Sequence, residues 1–304
     1  MNTIVSAVTP LVVLNPAANR GNVAAQRAAI QSMRAQYAFE YQETQAAGDA
    51  QRLAAQAADQ NQPIIIVGGD GAINEVVNGV LGAGKRIPIG IVPAGSGNDY
   101  ACEALRIPKD PAAALKITLE GRELSADAGK VNGRYFAGSF SVGLDADIAF
   151  SVSFLKKTTP LQGSLLYYIA TLRQLVFGYG ACPWLKISID GVPISATAER
   201  YVMAAITNGP TYGAGFRINP TADPADGLFN ICAISYTPLL KALQVLPVVQ
   251  KGKHEHLKEV KMWKATKIRI EGQRQMNGQT DGEVFRDQIF EAELLPAALL
   301  VRVP

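Results

Sequence analysis

The chain has 304 residues, 48% hydrophobic and 18% charged, enough for a sizeable core and, by length, about two domains. A net charge of +3 and a pI near 8.7 are too slight for a nucleic-acid footprint, so nucleic acid is not an expected partner, although a local basic face could meet anionic lipid. Three widely spaced cysteines without metal-ligand spacing fit a reducing, cytoplasmic compartment. No segment reads as a membrane span, and the apolar stretch Met1 to Leu14 lacks the basic start and cleavage site of a signal peptide.

Leu11-Val12-Val13-Leu14 reads as a first buried strand, followed by Asn15-Pro16 and a helix from about Val23 to Tyr37. A strand around Phe39 to Thr44 leads through Gly48-Asp49 to an Ala-rich helix ending near Asn61. Ile64-Ile65-Ile66-Val67, bounded by Pro63 and Gly68, suits a fully buried strand, and Ile73, Val76, Val77, Val80 and Leu81 then recur at helical spacing. Between them lies Gly68-Gly69-Asp70-Gly71. Glycines there let backbone N–H groups converge on an anion at a helix N-terminus. An acid in such a loop points to Mg²⁺-nucleotide chemistry, since a cation must sit between the like charges. The alternative is an ordinary Gly-rich turn with Asp70 as helix cap. After the strand Ile87 to Val92 comes a second glycine loop, Pro93 to Ala101, leading into a further helix; two such loops on successive parallel strands would lie side by side at the C-terminal edge of the sheet. Asp110-Pro111 marks a helix start.

After Gly121 the texture changes. Val131-Asn132-Gly133-Arg134 and Ile189-Asp190-Gly191-Val192 are hairpin turns, and strands are predicted at Tyr201 to Thr207, Leu228 to Ser235 and Lys267 to Glu271. The expected fold class is therefore α/β plus β: a parallel α/β domain over 1–125 and an antiparallel β-sandwich over 126–304. Asp145 and Asp147 read as helix caps, and His254 and His256 as surface residues. Leu161 to Phe177 reads as a largely apolar helix that packs on the sheet or lines an acyl pocket. Thr237 to Lys264 combines an apolar helix with Lys251, Lys253, Lys258, Lys261, Lys264 and Trp263, which suits either an interfacial contact or a core helix beside a solvated charge run.

Taken together, Gly68-Gly69-Asp70-Gly71-Ala72 with Asn74-Glu75, Pro93 to Asp99, Asn15-Pro16, Asp226-Gly227-Leu228 and Asp281-Gly282-Glu283 resemble the motifs of the diacylglycerol kinase catalytic-domain family, bacterial lipid kinases related to sphingosine and ceramide kinases. Ala72 and Ser96 stand where the family usually has threonine, so a hydroxyl contact is lost in the first loop and kept in the second. The resemblance implies a Rossmann-like nucleotide-binding domain of the NAD kinase and diacylglycerol kinase type, with ATP and Mg²⁺ as cofactors. It implies ATP contacts at Asn15, Thr44, Gly68, Gly69, Asp70, Gly71, Ala72, Ile73, Asn74, Glu75, Gly95, Ser96, Asn98 and Asp127. Asn15 could equally cap a helix, Thr44 end a strand, and Asp127 face solvent. It implies a structural Mg²⁺ held by Asp223, Asp226 and Leu228, where a plain Asp-Gly hairpin is the alternative.

By the same resemblance Glu283 is the general base that deprotonates a lipid hydroxyl, with Asp281 and Asp70 completing the catalytic set; a hairpin tip is the other reading of Asp-Gly-Glu. The expected protein is a lipid kinase meeting its substrate peripherally at a membrane surface, with a homodimer as one option. A NAD kinase-like phosphotransferase and a non-catalytic nucleotide- or lipid-binding regulator are the rival readings. The acceptor lipid is not specified by the sequence.

Overall fold

The apolar run Leu11–Leu14 is the first strand, β1, in the computed structural model, which describes residues 8–159, 163–213 and 215–304. The start of the Met1 to Leu14 stretch and Leu161 lie outside the described residues. Then follow α1 (Ala24–Met33), β2 (Glu40–Glu43), α2 (Asp49–Asp59), β3 (Ile64–Gly68), α3 (Asp70–Gly82), β4 (Pro88–Pro93), α4 (Pro111–Glu120) and β5 (Arg122–Val131). Strands β1 to β4 pair in parallel in the order β2, β1, β3, β4. β1 and β3 are buried along their whole length, as central parallel strands covered on both faces must be. α2 packs on α3, and α1 on α4. Asp110 caps α4 by accepting the Ala113 N–H at 2.8 Å, with Pro111 at the first helical position. The second glycine loop leads into one short π-helical turn, Asp99–Ala104.

The chain divides into two units, Met1–Ala128 with Pro296–Pro304, and Gly129–Leu295. The last nine residues, expected in the second domain, belong to the first: Leu300 and Val301 pair in parallel with Pro88 and Ile89, and the Arg302 guanidinium bonds the Gly121 carbonyl at 2.8 Å. Apolar Leu299, Val301 and Val303 are buried there, which a local reading of the C-terminus does not reveal.

The second unit contains β6 (Arg134–Phe136), β7 (Ser139–Gly143), α5 (Leu144–Thr158), α6 (Gly163–Arg173), β8 (Trp184–Ile189), β9 (Val192–Pro193), β10 (Glu199–Thr207), β11 (Phe229–Ser235), α7 (Leu239–Gln250), β12 (Val260–Ala265), β13 (Lys267–Thr280) and, as far as Leu295, the long strand β14 (Glu283–Val303). Its strands pair antiparallel in the order β12, β11, β10, β7, β13, β14, with β8 joining β10 to the first half of β13. Both predicted hairpins form, Val131 opposite Arg134 and Ile189 opposite Val192.

One face of β10 and β11 sends Ala204, Ile206, Phe229 and Ile231 into an apolar core with Phe136, Phe140 and Phe290. Each such buried phenylalanine contributes about 1.5–3 kcal/mol. The opposite face, with Val202, Ala205, Cys232 and Ile234, is also buried, beneath Leu239, Ala242, Val245 and Val249 of α7 and Tyr179. A sandwich of two sheets alone therefore does not describe this unit, because helices cover the second face. α7 is apolar on both sides: Leu240, Leu243 and Leu246 point away from that core and are exposed. The predicted apolar helix before Phe177 is α6 followed by a π-helical stretch, Gln174–Gly178.

Candidate active site

Four successive strand ends of the N-terminal unit carry the predicted nucleotide contacts. The Thr44 N–H bonds Leu14 O, the Asn15 N–H bonds Val67 O, and the Ala94 N–H bonds Gly68 O, at 2.9, 2.9 and 2.8 Å. Thr44, Asn15, Gly68 and the second loop thus stand in a row at the C-terminal edge. The two glycine loops touch: a Cβ on Gly95 would lie 2.6 Å from Gly69 Cα, and one on Gly69 would lie 2.9 Å from Gly95 Cα. Glycine is required at both positions by this backbone approach. Asn98 closes the second loop in the left-handed conformation, accepting the Gly95 N–H at 2.8 Å and donating to Gly95 O at 2.7 Å.

Gly69, not Asp70, is the N-cap residue of α3, and the Asp70 carboxylate accepts the Asn98 N–H at 2.9 Å, tying the first loop to the second. The first amides of α3, which have no intrahelical acceptor, stand at this loop together with exposed Ser96, a donor set that fits a nucleotide phosphate. Ala72 is buried and brings no hydroxyl.

Other predicted contacts have structural employment. Ile73 points into the core, and Asn74 accepts from Asn78 at 3.1 Å. Glu75 accepts the N–H groups of Gly48 and Ala50 at 3.0 and 3.1 Å, capping the start of α2. Asn15 Oδ1 accepts the Ala17 N–H at 3.0 Å, the local turn that its residue type favours. Asp127, far from facing solvent, is buried and accepts the Ala297 N–H at 2.8 Å, which pins the C-terminal segment to its own unit.

In the second unit Thr280 pairs with Glu283 across a two-residue turn in which Asp281 and Gly282 both take positive φ, 46° and 92°. The hairpin tip and the motif expected to be catalytic are thus the same residues. Glu283 is exposed. The Asp281 carboxylate accepts three backbone N–H groups, those of Ala137, Gly138 and Ser139, at 2.9, 3.0 and 2.7 Å. Its role here is to fasten the tip to the turn before β7.

Asp145 and Asp147 are not the expected caps, since Gly143 is the N-cap of α5. The Asp145 carboxylate accepts from Ser141 Oγ and, at 3.1 Å, from the Tyr212 hydroxyl. Burial pushes its pKa up to about 6, against these hydrogen bonds. Asp147 accepts from Asn277 at 2.6 Å; burial raises its pKa as well, with Asn277, Arg274 and Arg286 opposing. Asp147, Arg274, Arg286 and Arg200 line a cavity of about 620 Å³. Sequence reasoning missed this site because its residues are scattered from Asp147 to Arg286. His254, expected at the surface, is fully buried with Nε2 2.9 Å from Ile218 O, and burial lowers its pKa.

The turn proposed for a structural cation holds its carboxylates otherwise. Asp226 accepts the Leu228 N–H at 3.1 Å and pairs with Lys264 at 2.7 Å, while Asp223 accepts the Ala225 N–H at 3.0 Å. Among the described residues no three acidic, His or Cys side chains gather as a metal site. As arranged, the Asp226 carboxylate is engaged by Lys264.

The family model of the diacylglycerol kinase catalytic domain matches residues 9–131, and that of the YegS C-terminal NAD kinase beta sandwich-like domain matches residues 138–303. The chain is 32% identical over 257 residues to a diacylglycerol kinase of Mycobacterium tuberculosis, covering 83% of this chain and 80% of that one. It is 31% identical over 242 residues to a diacylglycerol kinase of Staphylococcus carnosus, covering 79% and 76%. A crystal structure of a diacylglycerol kinase from Bacillus anthracis shares the fold, with a TM-score of 0.74, 21% identity and 97% of each chain covered. The chain belongs to the diacylglycerol kinase catalytic-domain family, a family of lipid kinases.

Proposed function

We propose that this lipid kinase transfers the γ-phosphate of Mg-ATP to a hydroxyl of diacylglycerol or a related lipid. The observation that carries the reading is the closure of Gly69 on Gly95 with Asp70 bridging to Asn98, which presents backbone donors and one acid at a parallel sheet edge. In this reading the N-terminal unit is a Rossmann-like nucleotide-binding domain, supported by its parallel strand order and two helix pairs. The loop amides and Ser96 hold the phosphates, and Asn15, Thr44 and Asp127 are the further nucleotide contacts. Bound Mg-ATP supplies the transferable group and neutralises its charge. Glu283, exposed on a turn fastened by Asp281, takes the proton of the lipid hydroxyl. A positioned base contributes about 10²- to 10⁴-fold.

The protein is proposed to be cytoplasmic and to meet its substrate peripherally. Among the described residues no helix is long and apolar enough to cross a membrane. Phe150 and Phe154 of α5, and Leu165, Tyr168 and Leu172 of α6, are exposed, and the two helices pack together. Such an apolar face suits the boundary of a lipid layer.

The test is transfer of labelled γ-phosphate from Mg-ATP to a panel of lipids and to NAD, with Glu283→Gln in parallel. The expected result is label in a lipid, reduced about 10²- to 10⁴-fold in the variant while ATP binding persists. Label in NAD alone, or none despite ATP binding, would overturn the reading.

A further inference from the structure

The hairpin tip that carries Glu283 is held by a second device besides Asp281. The Gly282 N–H donates to Gln279 Oε1 at 2.7 Å, Gln279 Nε2 donates to Ser141 Oγ at 2.8 Å, and the Ser141 hydroxyl donates to Asp145. Strand register makes this possible. Gln279 lies directly opposite Ser141 in the β13 and β7 pair, and alternation sends Phe140 and Val142 into the apolar core while Ser141 takes the other face. Gln279 and Ser141 are both buried.

The direction of the chain is forced. A backbone N–H can only donate, so Gln279 must turn its oxygen to Gly282 and its NH₂ to Ser141. Ser141 then accepts with its oxygen, and its single proton must go to an acceptor, which Asp145 provides. Tyr212 donates to the same carboxylate, so every bond from the turn inward points to one anchor. Gln279 without that anchor could rotate its amide, placing an NH₂ against the Gly282 N–H.

We propose that Asp145, through Ser141, fixes the amide of Gln279 so that it holds Gly282 and with it the turn presenting Glu283, making Gln279, Ser141 and Asp145 positioning residues for phosphoryl transfer. The proposal rests on the reading of Glu283 as base. Its test combines hydrogen exchange at the Gly282 amide with steady-state kinetics on Mg-ATP and diacylglycerol in mixed micelles, using the full chain.

Gln279→Met and Ser141→Ala should each speed Gly282 exchange about tenfold or more and lower kcat about 10- to 100-fold, with KM for ATP changed less than about twofold. Asp145→Ala should do the same. Asp145→Asn should restore both values, because its amide oxygen still accepts from Ser141. Wild-type exchange and kcat in Gln279→Met would overturn the proposal, and faster exchange in Gln279→Met alone would overturn the part played by Ser141 and Asp145. Ser141→Ala, the smallest change, keeps the test available if Gln279→Met fails to fold. Full turnover in Glu283→Gln would sink the base assignment instead, and the exchange data would still decide the relay.

Discussion

The glycine loops of the N-terminal unit and the Asp281-Gly282 turn of the second unit both present functional groups on tight backbone, but they are held by different means. The loops are held by the absence of side chains. Gly69 and Gly95 stack backbone on backbone, and a side-chain tie between the loops, Asp70 to Asn98, is itself to a backbone N–H. The turn is held by side chains reaching it from afar: Asp281 spans to residues 137–139, and Gln279 connects to Ser141 and Asp145. A site made by missing Cβ atoms tolerates no addition, whereas one made by hydrogen bonds tolerates no loss of polarity.

The first half of this contrast breaks most sharply at Gly95. A methyl there meets Gly69 Cα at 2.6 Å and Asn98 Oδ1 at 2.9 Å, so the loops must separate. Gly95→Ala should lose about 1–3 kcal/mol of stability to overpacking. ATP affinity should fall by at least about tenfold as the donors lose their geometry. Thermal unfolding and calorimetric titration with ATP measure the two effects; wild-type affinity in Gly95→Ala would remove the second loop from the nucleotide site.

The same contrast explains which features are legible in the sequence. The loops are contiguous in sequence and flanked by apolar β-branched strands, so Ile64–Gly68 and α3 were legible to within a residue or two, as were the Asn-Gly and Asp-Gly hairpins. Asp281 was legible as part of a motif, but its three amide bonds were not, because their donors lie more than 140 residues away. Asp145, Ser141 and Gln279 carried no local signal beyond the polar residues alternating with Phe140 and Val142. The C-terminal return of Pro296–Pro304 to the first unit, and the helices over the second face of β10 and β11, are long-range packing that periodicity does not encode.

Asp145 sharpens the second half of the contrast through pH. Its carboxyl titrates near 6 in the folded chain, against a usual value near 4 in an unfolded one. The folded state therefore binds the proton more tightly, and stability rises as pH falls from about 6 to about 4. Above 6 the burial cost is fully expressed; below 4 it vanishes. Asparagine has no proton to bind, so the stability of Asp145→Asn relative to wild type should increase by up to about 3 kcal/mol between pH 4 and pH 7. Denaturant unfolding at the two pH values measures it. A pH-independent difference would show that Asp145 is not a buried charge.

Asp226-Gly227 provides the smallest test, because it has the same dipeptide as the Asp281-Gly282 turn and a different partner. Asp281 accepts from three backbone donors, whereas Asp226 pairs with Lys264, about half exposed. An exposed ion pair of this kind is worth about 0–1 kcal/mol, so the lysine competes weakly for the carboxylate. If a divalent cation does bind this turn, as the resemblance implies, Lys264→Met should raise its affinity by up to about fivefold, the equivalent of that pairing energy. Calorimetric titration with Mg²⁺ and with Ca²⁺ reads the change, and Asp226→Asn should abolish it. Equal affinities in wild type, Lys264→Met and Asp226→Asn would mean that the turn is held by its lysine and its Leu228 amide alone, a structural hairpin with no part in cation binding.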